Sequence, residues 1–110
     1  MSTPLLENIL NQANALQAIG DYQFGPGHSS LDEAASILRS KKRIVLSGMG
    51  ASFFACIPFQ YQLAEQGLEV IAIETAELLY FKPTAMDKDT VVVLVSRSGE
   101  SVEVTKLISV

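Results

Sequence analysis

The chain has 110 residues, 48% of them apolar and 18% charged, with a formal net charge of −4. This length supports one hydrophobic core at most, and the composition fits neither a disordered chain nor a fibrous repeat. The acidic balance argues against a nucleic-acid partner, because gripping a phosphate backbone needs clustered Lys and Arg, and the only basic cluster is Lys41-Lys42-Arg43.

In chain order, the first feature is a helix start. Thr3 follows Ser2 and precedes Pro4, and a hydroxyl cap followed by proline favours helix initiation. Leu5, Leu6, Ile9, Leu10, Ala13, Leu16 and Ile19 then recur at helical spacing, and Gly20 is expected to close the helix. Breakers crowd the stretch from Phe24 to Ser30, which predicts a loop, and Ser30 is expected to cap a second helix bearing Leu31, Ala34, Ala35, Ile37 and Leu38. The basic cluster stands at the entrance of the first strand, Arg43 to Ser47, where solvated charges also discourage aggregation.

Gly48-Met49-Gly50 forms a turn into an apolar helical pattern from Ala51 to about Gln66, and Gly67 ends it. Leu68 to Ile73 reads as a second strand, after which Thr75 can cap a short helical segment through Tyr80 that Pro83 stops. Lys82 to Asp89 is turn-like. Thr90 to Val95 (TVVVLV) is the strongest strand pattern, and the residues after Ser98-Gly99-Glu100-Ser101 suggest a last helix. Strands apolar on both faces belong in the middle of a parallel sheet covered by helices. The expected class is therefore α/β, a three-layer doubly wound parallel sheet of flavodoxin-like order, truncated after its third strand. Residues 1–29 are expected to form an N-terminal helix and loop, and 30–110 the start of the α/β domain.

No apolar run approaches the ~20 residues of a bilayer span, and the N-terminus lacks a signal-peptide pattern. Cys56 has no cysteine to pair with and sits among apolar neighbours, so an inert buried thiol and a cytoplasmic setting are expected.

Two loops carry the chemistry. In a doubly wound sheet ligands bind beyond the carboxyl ends of the strands. One loop there is Ser47-Gly48-Met49-Gly50-Ala51-Ser52, whose glycines admit close backbone approach and whose following helix offers unpaired amides to an anion. The other is Ser96-Arg97-Ser98-Gly99-Glu100-Ser101, where hydroxyls, amides and a guanidinium can converge on a phosphomonoester. An ordinary capping box, with Ser98 capping and Glu100 or Ser101 reaching back, is the plain alternative for the second loop. A dinucleotide site competes for the first, since Gly48 and Gly50 match a fingerprint and Glu74 ends the next strand. Bulky Phe53, however, stands where the third glycine should be.

These loops resemble the SIS (sugar isomerase) family, whose members pair Gly-x-Gly-Thr-Ser with Ser-x-Ser-Gly-Glu-Thr, and the likeness runs from about Ser30 to Val110. The segment Glu74-Thr75-Ala76-Glu77 before Tyr80 is similar to the family's Ala-Ser-Glu-Phe region. The nearest likeness is to the isomerase half of glucosamine-6-phosphate synthase and to tandem-domain amino-sugar isomerases, deaminases and deglycases.

The resemblance implies that Ser52, Ser96, Ser98 and Ser101 hold a sugar phosphate, with Gly48, Gly50 and Gly99 shaping the loops. Arg97 stands where the synthases usually carry glutamine, and Ala51 replaces a threonine. For Arg97 two readings stand: direct contact with phosphate, or a surface pair with Glu100 or Glu103. The resemblance also implies a homodimer in the intact protein and catalytic residues further along than Val110. No catalytic role is assigned to Glu74, Glu77, Glu100, Glu103 or His28, and no cofactor or metal is expected. A non-catalytic sugar-phosphate sensor is the remaining alternative.

Overall fold

The computed structural model of the chain describes residues 3–80 and 86–109. Pro83 lies outside the described residues. Two units are distinguished, Met1–Ser36 and Ile37–Val110.

The first unit is helical. Thr3 caps α1 (Pro4–Leu10), its Oγ1 accepting the Leu6 N–H at 3.1 Å, with Pro4 in the first turn. The helix then breaks at Asn11, and α2 (Gln12–Gln23) runs through Gly20 instead of stopping there. A glycine inside a helix costs about 1 kcal/mol relative to alanine, too little to end one whose hydrogen bonds continue, and Phe24 N–H still reaches Gly20 O at 3.0 Å. The next helix, α3 (His28–Ser40), starts three residues earlier than a Ser30 cap would place it. Gly27 explains the shift: its N–H donates to Tyr22 O at 2.7 Å, and its carbonyl accepts from Ser30 and Leu31. His28 is thereby the first helical residue, with Nδ1 3.1 Å from the exposed Asp32 carboxylate. Neither α1 nor α2 has a buried residue, and Leu10 and Phe24 are 71% and 82% exposed.

The second unit holds the sheet. β1 (Arg43–Gly48) is followed by α4 (Ala51–Glu65), β2 (Val70–Glu74), α5 (Thr75–Tyr80), β3 (Thr90–Val95) and α6 (Val102–Ile108). The three strands pair in parallel in the order β2-β1-β3. Alternation along β1 sends its side chains to opposite faces. Ile44 and Leu46 pack with Cys56, Phe59 and Leu63 of α4. Val45 packs on the other side with Ile73, Leu78 of α5 and Leu107 of α6. Helices on both faces of a parallel sheet make the α/β, three-layer, doubly wound class expected from the sequence.

The order is the flavodoxin-like one expected from the sequence, but apolar content alone does not show which strand is central. β3 has the most apolar sequence, yet β1 is central and β3 lies at an edge of the described sheet, each of its residues half-buried. Its valines do meet helices on both faces, Val92 on one side and Val91, Val93 and Val95 on the other. An apolar run registers how many faces are covered and carries no information about how many edges are paired.

At the amino ends of the strands the basic cluster acts as a clip. Arg43 pairs with the Asp87 carboxylate, and the Lys41 ammonium donates to Lys88 O at 2.9 Å. Asp87 also receives the Thr90 hydroxyl and the Asp89 N–H, both at 2.9 Å. The Thr90 hydrogen bond foremost, helped by the Asp89 amide and the Arg43 charge, holds its carboxyl below the ordinary aspartate value, and together they outweigh the opposing desolvation. A depressed folded-state pKa contributes stability above the unfolded value of about 3.9, and that contribution is lost as pH falls through the folded value. Thermal unfolding followed by circular dichroism from pH 6 to pH 2 should show a steeper acid loss in the wild type than in Asp87→Asn.

Candidate functional site

The site follows from strand register. Gly48 at the end of β1 is level with Glu74 at the end of β2 and with Val95 at the end of β3. All three strands therefore stop at one edge, and the loops after β1 and β3 emerge side by side above the central pair. This is the crevice at which doubly wound sheets bind ligands.

The first loop is shaped by two glycines. A Cβ on Gly48 would lie 2.8 Å from the carbonyl carbon of Ser52 and 2.9 Å from the Phe53 nitrogen, so only glycine lets the first turn of α4 fold back against the strand end. Gly50 has φ 57° and ψ −125°, a conformation that strains any L-residue, and it precedes α4 with no side-chain cap on the helix amides. Ser52 N–H turns back to Met49 O at 3.1 Å, while the Met49 Sδ accepts the Ala76 N–H at 3.4 Å and ties the loop to α5.

Beneath this loop lies a buried hydroxyl pair. The Ser47 Oγ donates to Ile73 O at 2.8 Å and lies 2.9 Å from the Thr75 Oγ1. Since Ser47 has a single hydroxyl hydrogen, Thr75 must be the donor between them. Both residues are fully buried, and the chain Thr75 to Ser47 to Ile73 O fastens the end of β1 to the junction of β2 and α5. Sequence reasoning gave Thr75 only a capping role and placed Ser47 merely at the loop's start. Two short hydroxyl residues ending adjacent apolar strands were the available signal.

The second loop is a succession of hydroxyl acceptors. Gly99 N–H donates to Ser96 Oγ at 2.8 Å, and Glu100 N–H to Ser98 Oγ at 3.1 Å. Val104 N–H donates to Ser101 Oγ at 3.4 Å. Ser101 is thus the cap of α6, and the alternative capping box at Ser98 does not form, because Ser98 instead closes the turn at Gly99, whose φ is 71°.

The two loops share one cleft of about 170 Å³. Ser52 comes to it from α4, and Ser96, Arg97, Ser98 and Ser101 from the second loop, with Met49, Val95 and Val104 as its apolar lining. Sequence reasoning did not single out those last three. Arg97 is exposed, and no ion pair joins it to Glu100 or Glu103 among the described residues, so the surface-pair reading of Arg97 is not what the structure contains.

The family model for the SIS domain matches residues 37–110, more than half of the chain. The chain belongs to the SIS domain family. SIS domains are phosphosugar-binding units, and the match covers both loops and every residue of the cleft. Neither the curated proteins nor the solved structures contain a match to this chain.

Several candidates stand apart from the SIS cleft. Glu74, Glu77 and Glu103 do not line it, and Glu100 faces a separate shallow groove along α6 beside Lys106. Cys56 is fully buried, its thiol donating to Ser52 O at 3.4 Å, and burial pushes its pKa up, as suits an inert core thiol. Among the described residues no group of three or more His, Cys, Asp or Glu side chains could hold a metal ion. No helix of the described residues is long and apolar enough to cross a membrane.

Replacing Gly48 with alanine forces a methyl group against backbone atoms that cannot rotate away. A loss of about 1–3 kcal/mol, the usual cost of overpacking, should appear as a lowered urea midpoint with an unchanged m-value.

Proposed function

We propose that this chain is the phosphosugar-gripping part of a sugar-phosphate isomerase, deaminase or deglycase acting on an amino- or keto-sugar phosphate, with Ser52, Ser96, Arg97, Ser98 and Ser101 as the phosphate ligands. The observation that supports this most directly is the shared cleft, to which two separate loops bring serine hydroxyls and one guanidinium. Three of those hydroxyls accept a hydrogen bond from their own loop, so the hydrogen of each is available to an incoming oxygen. The uncapped start of α4 adds backbone amides and the positive end of a helix dipole.

In this reading the loops bind and orient the substrate and take no part in proton transfer. The carboxylate base that moves a proton between adjacent carbons in aldose-ketose chemistry is assigned to no residue of this chain. A cytoplasmic homodimer is part of the same proposal. The exposed apolar side chains of α1 and α2, such as Leu10 and Leu16, agree with association, and the buried lone thiol agrees with a reducing compartment.

Titration of the isotope-labelled chain with fructose 6-phosphate and glucosamine 6-phosphate tests the proposal. Amide shifts should concentrate at residues 48–53 and 96–102, and absence of shifts with both sugars would overturn it. Ser98→Ala and Ser101→Ala should each weaken binding by about tenfold or more, the worth of a hydrogen bond to a charged group. Only Ser101→Ala should also lower stability, by the ~1 kcal/mol of a lost helix cap.

A further inference from the structure

We infer that Arg97 makes the cleft selective for charge, so that it takes a sugar phosphomonoester in its dianionic form and discriminates against a singly charged ester of the same shape. The inference rests on the phosphosugar reading of the cleft and goes beyond it to the property that is recognised.

The hydroxyls by themselves do not count charge. Ser96, Ser98 and Ser101 each accept a loop amide and can offer one hydrogen outward, and such donors serve any tetrahedral group with three terminal oxygens. A sulfate ester and a phosphate ester present the same three acceptors, and above the second phosphate pKa near 6 they differ by about one unit of charge. A full positive charge beside the ester responds to that difference more strongly than neutral donors do.

Arg97 is the one charged side chain among the described residues lining the cleft. It is not spent elsewhere: no ion pair joins Arg97 to another of the described residues. The acids on the surrounding elements, Glu74 on β2, Glu77 on α5, Glu100 in the loop and Glu103 on α6, line no part of the cleft, so Arg97 is its charged group without a carboxylate beside it in the lining. A protonated or singly charged guest would forgo part of the attraction to the guanidinium.

The experiment is a titration of the labelled full chain at pH 8 and low ionic strength with fructose 6-phosphate and with fructose 6-sulfate. At low salt one additional unit charge near the guanidinium should favour the phosphate by about tenfold. In Arg97→Gln, which keeps an amide donor and removes the charge, both affinities should fall, the phosphate by about tenfold more than the sulfate, so that the ratio drops towards one. Arg97→Lys should retain most of the ratio. Equal affinity for the two esters in the wild type, or a ratio that survives Arg97→Gln, overturns the inference and leaves the phosphosugar reading standing. Binding of neither ester overturns both.

Discussion

The parallel pairing of β1 with both of its neighbours governs the rest of the second unit. Because Gly48 is level with Glu74 on one side and Val95 on the other, the three strands end together, and whatever follows them is delivered to one edge of the sheet. A slip of one residue in either pairing would also turn every side chain of that strand to the opposite face. Ile44 and Leu46 would then leave α4, and Val45 would leave the side where α5 and α6 pack. The core therefore enforces the register, and the register places the loops.

What the loops do at that edge is decided by small residues. Gly48 has no side chain because the first turn of α4 occupies the space a Cβ would need, and Gly50 turns the chain through a conformation closed to other residues. Below them the buried Thr75, Ser47 and Ile73 carbonyl form a satisfied hydrogen-bond chain in an otherwise apolar interior. A buried hydroxyl without a partner costs about 1–3 kcal/mol, so this chain holds the ends of β1 and β2 in one arrangement. The second loop is built from local bonds, each serine answering an amide two or three residues on. Its hydroxyl oxygens are thereby oriented before any ligand arrives, and preorganisation lowers the ordering cost of binding.

Much of this was legible in the sequence, and the parts that were not share a cause. Thr90 to Val95 was recognisable as a strand because branched apolar residues have a strong local preference, and the bounds agree with β3. The turns around Gly48 and Gly99 were recognisable because positive φ and close approach select glycine. The errors fell where local signals were overridden by hydrogen bonds made over a slightly longer range. Gly20 stayed helical because the ladder continued past it, and α3 began at His28 because Gly27 was already held by Tyr22. Ser101 and not Ser98 caps α6, since either spacing suits a cap and only the path of α6 chooses between them.

By itself the sequence determined the α/β class, the strands and the two chemically loaded loops, because alternation, apolar runs and glycine placement are properties of neighbouring residues. The order β2-β1-β3 and the edge position of β3 came from strand pairing across the chain. So did the meeting of Ser52 with Ser98 in one cleft and the burial of Ser47 against Thr75. Residues 26 or more positions apart in the chain become neighbours only when a shared core sets the register between their strands, and no local pattern records that register.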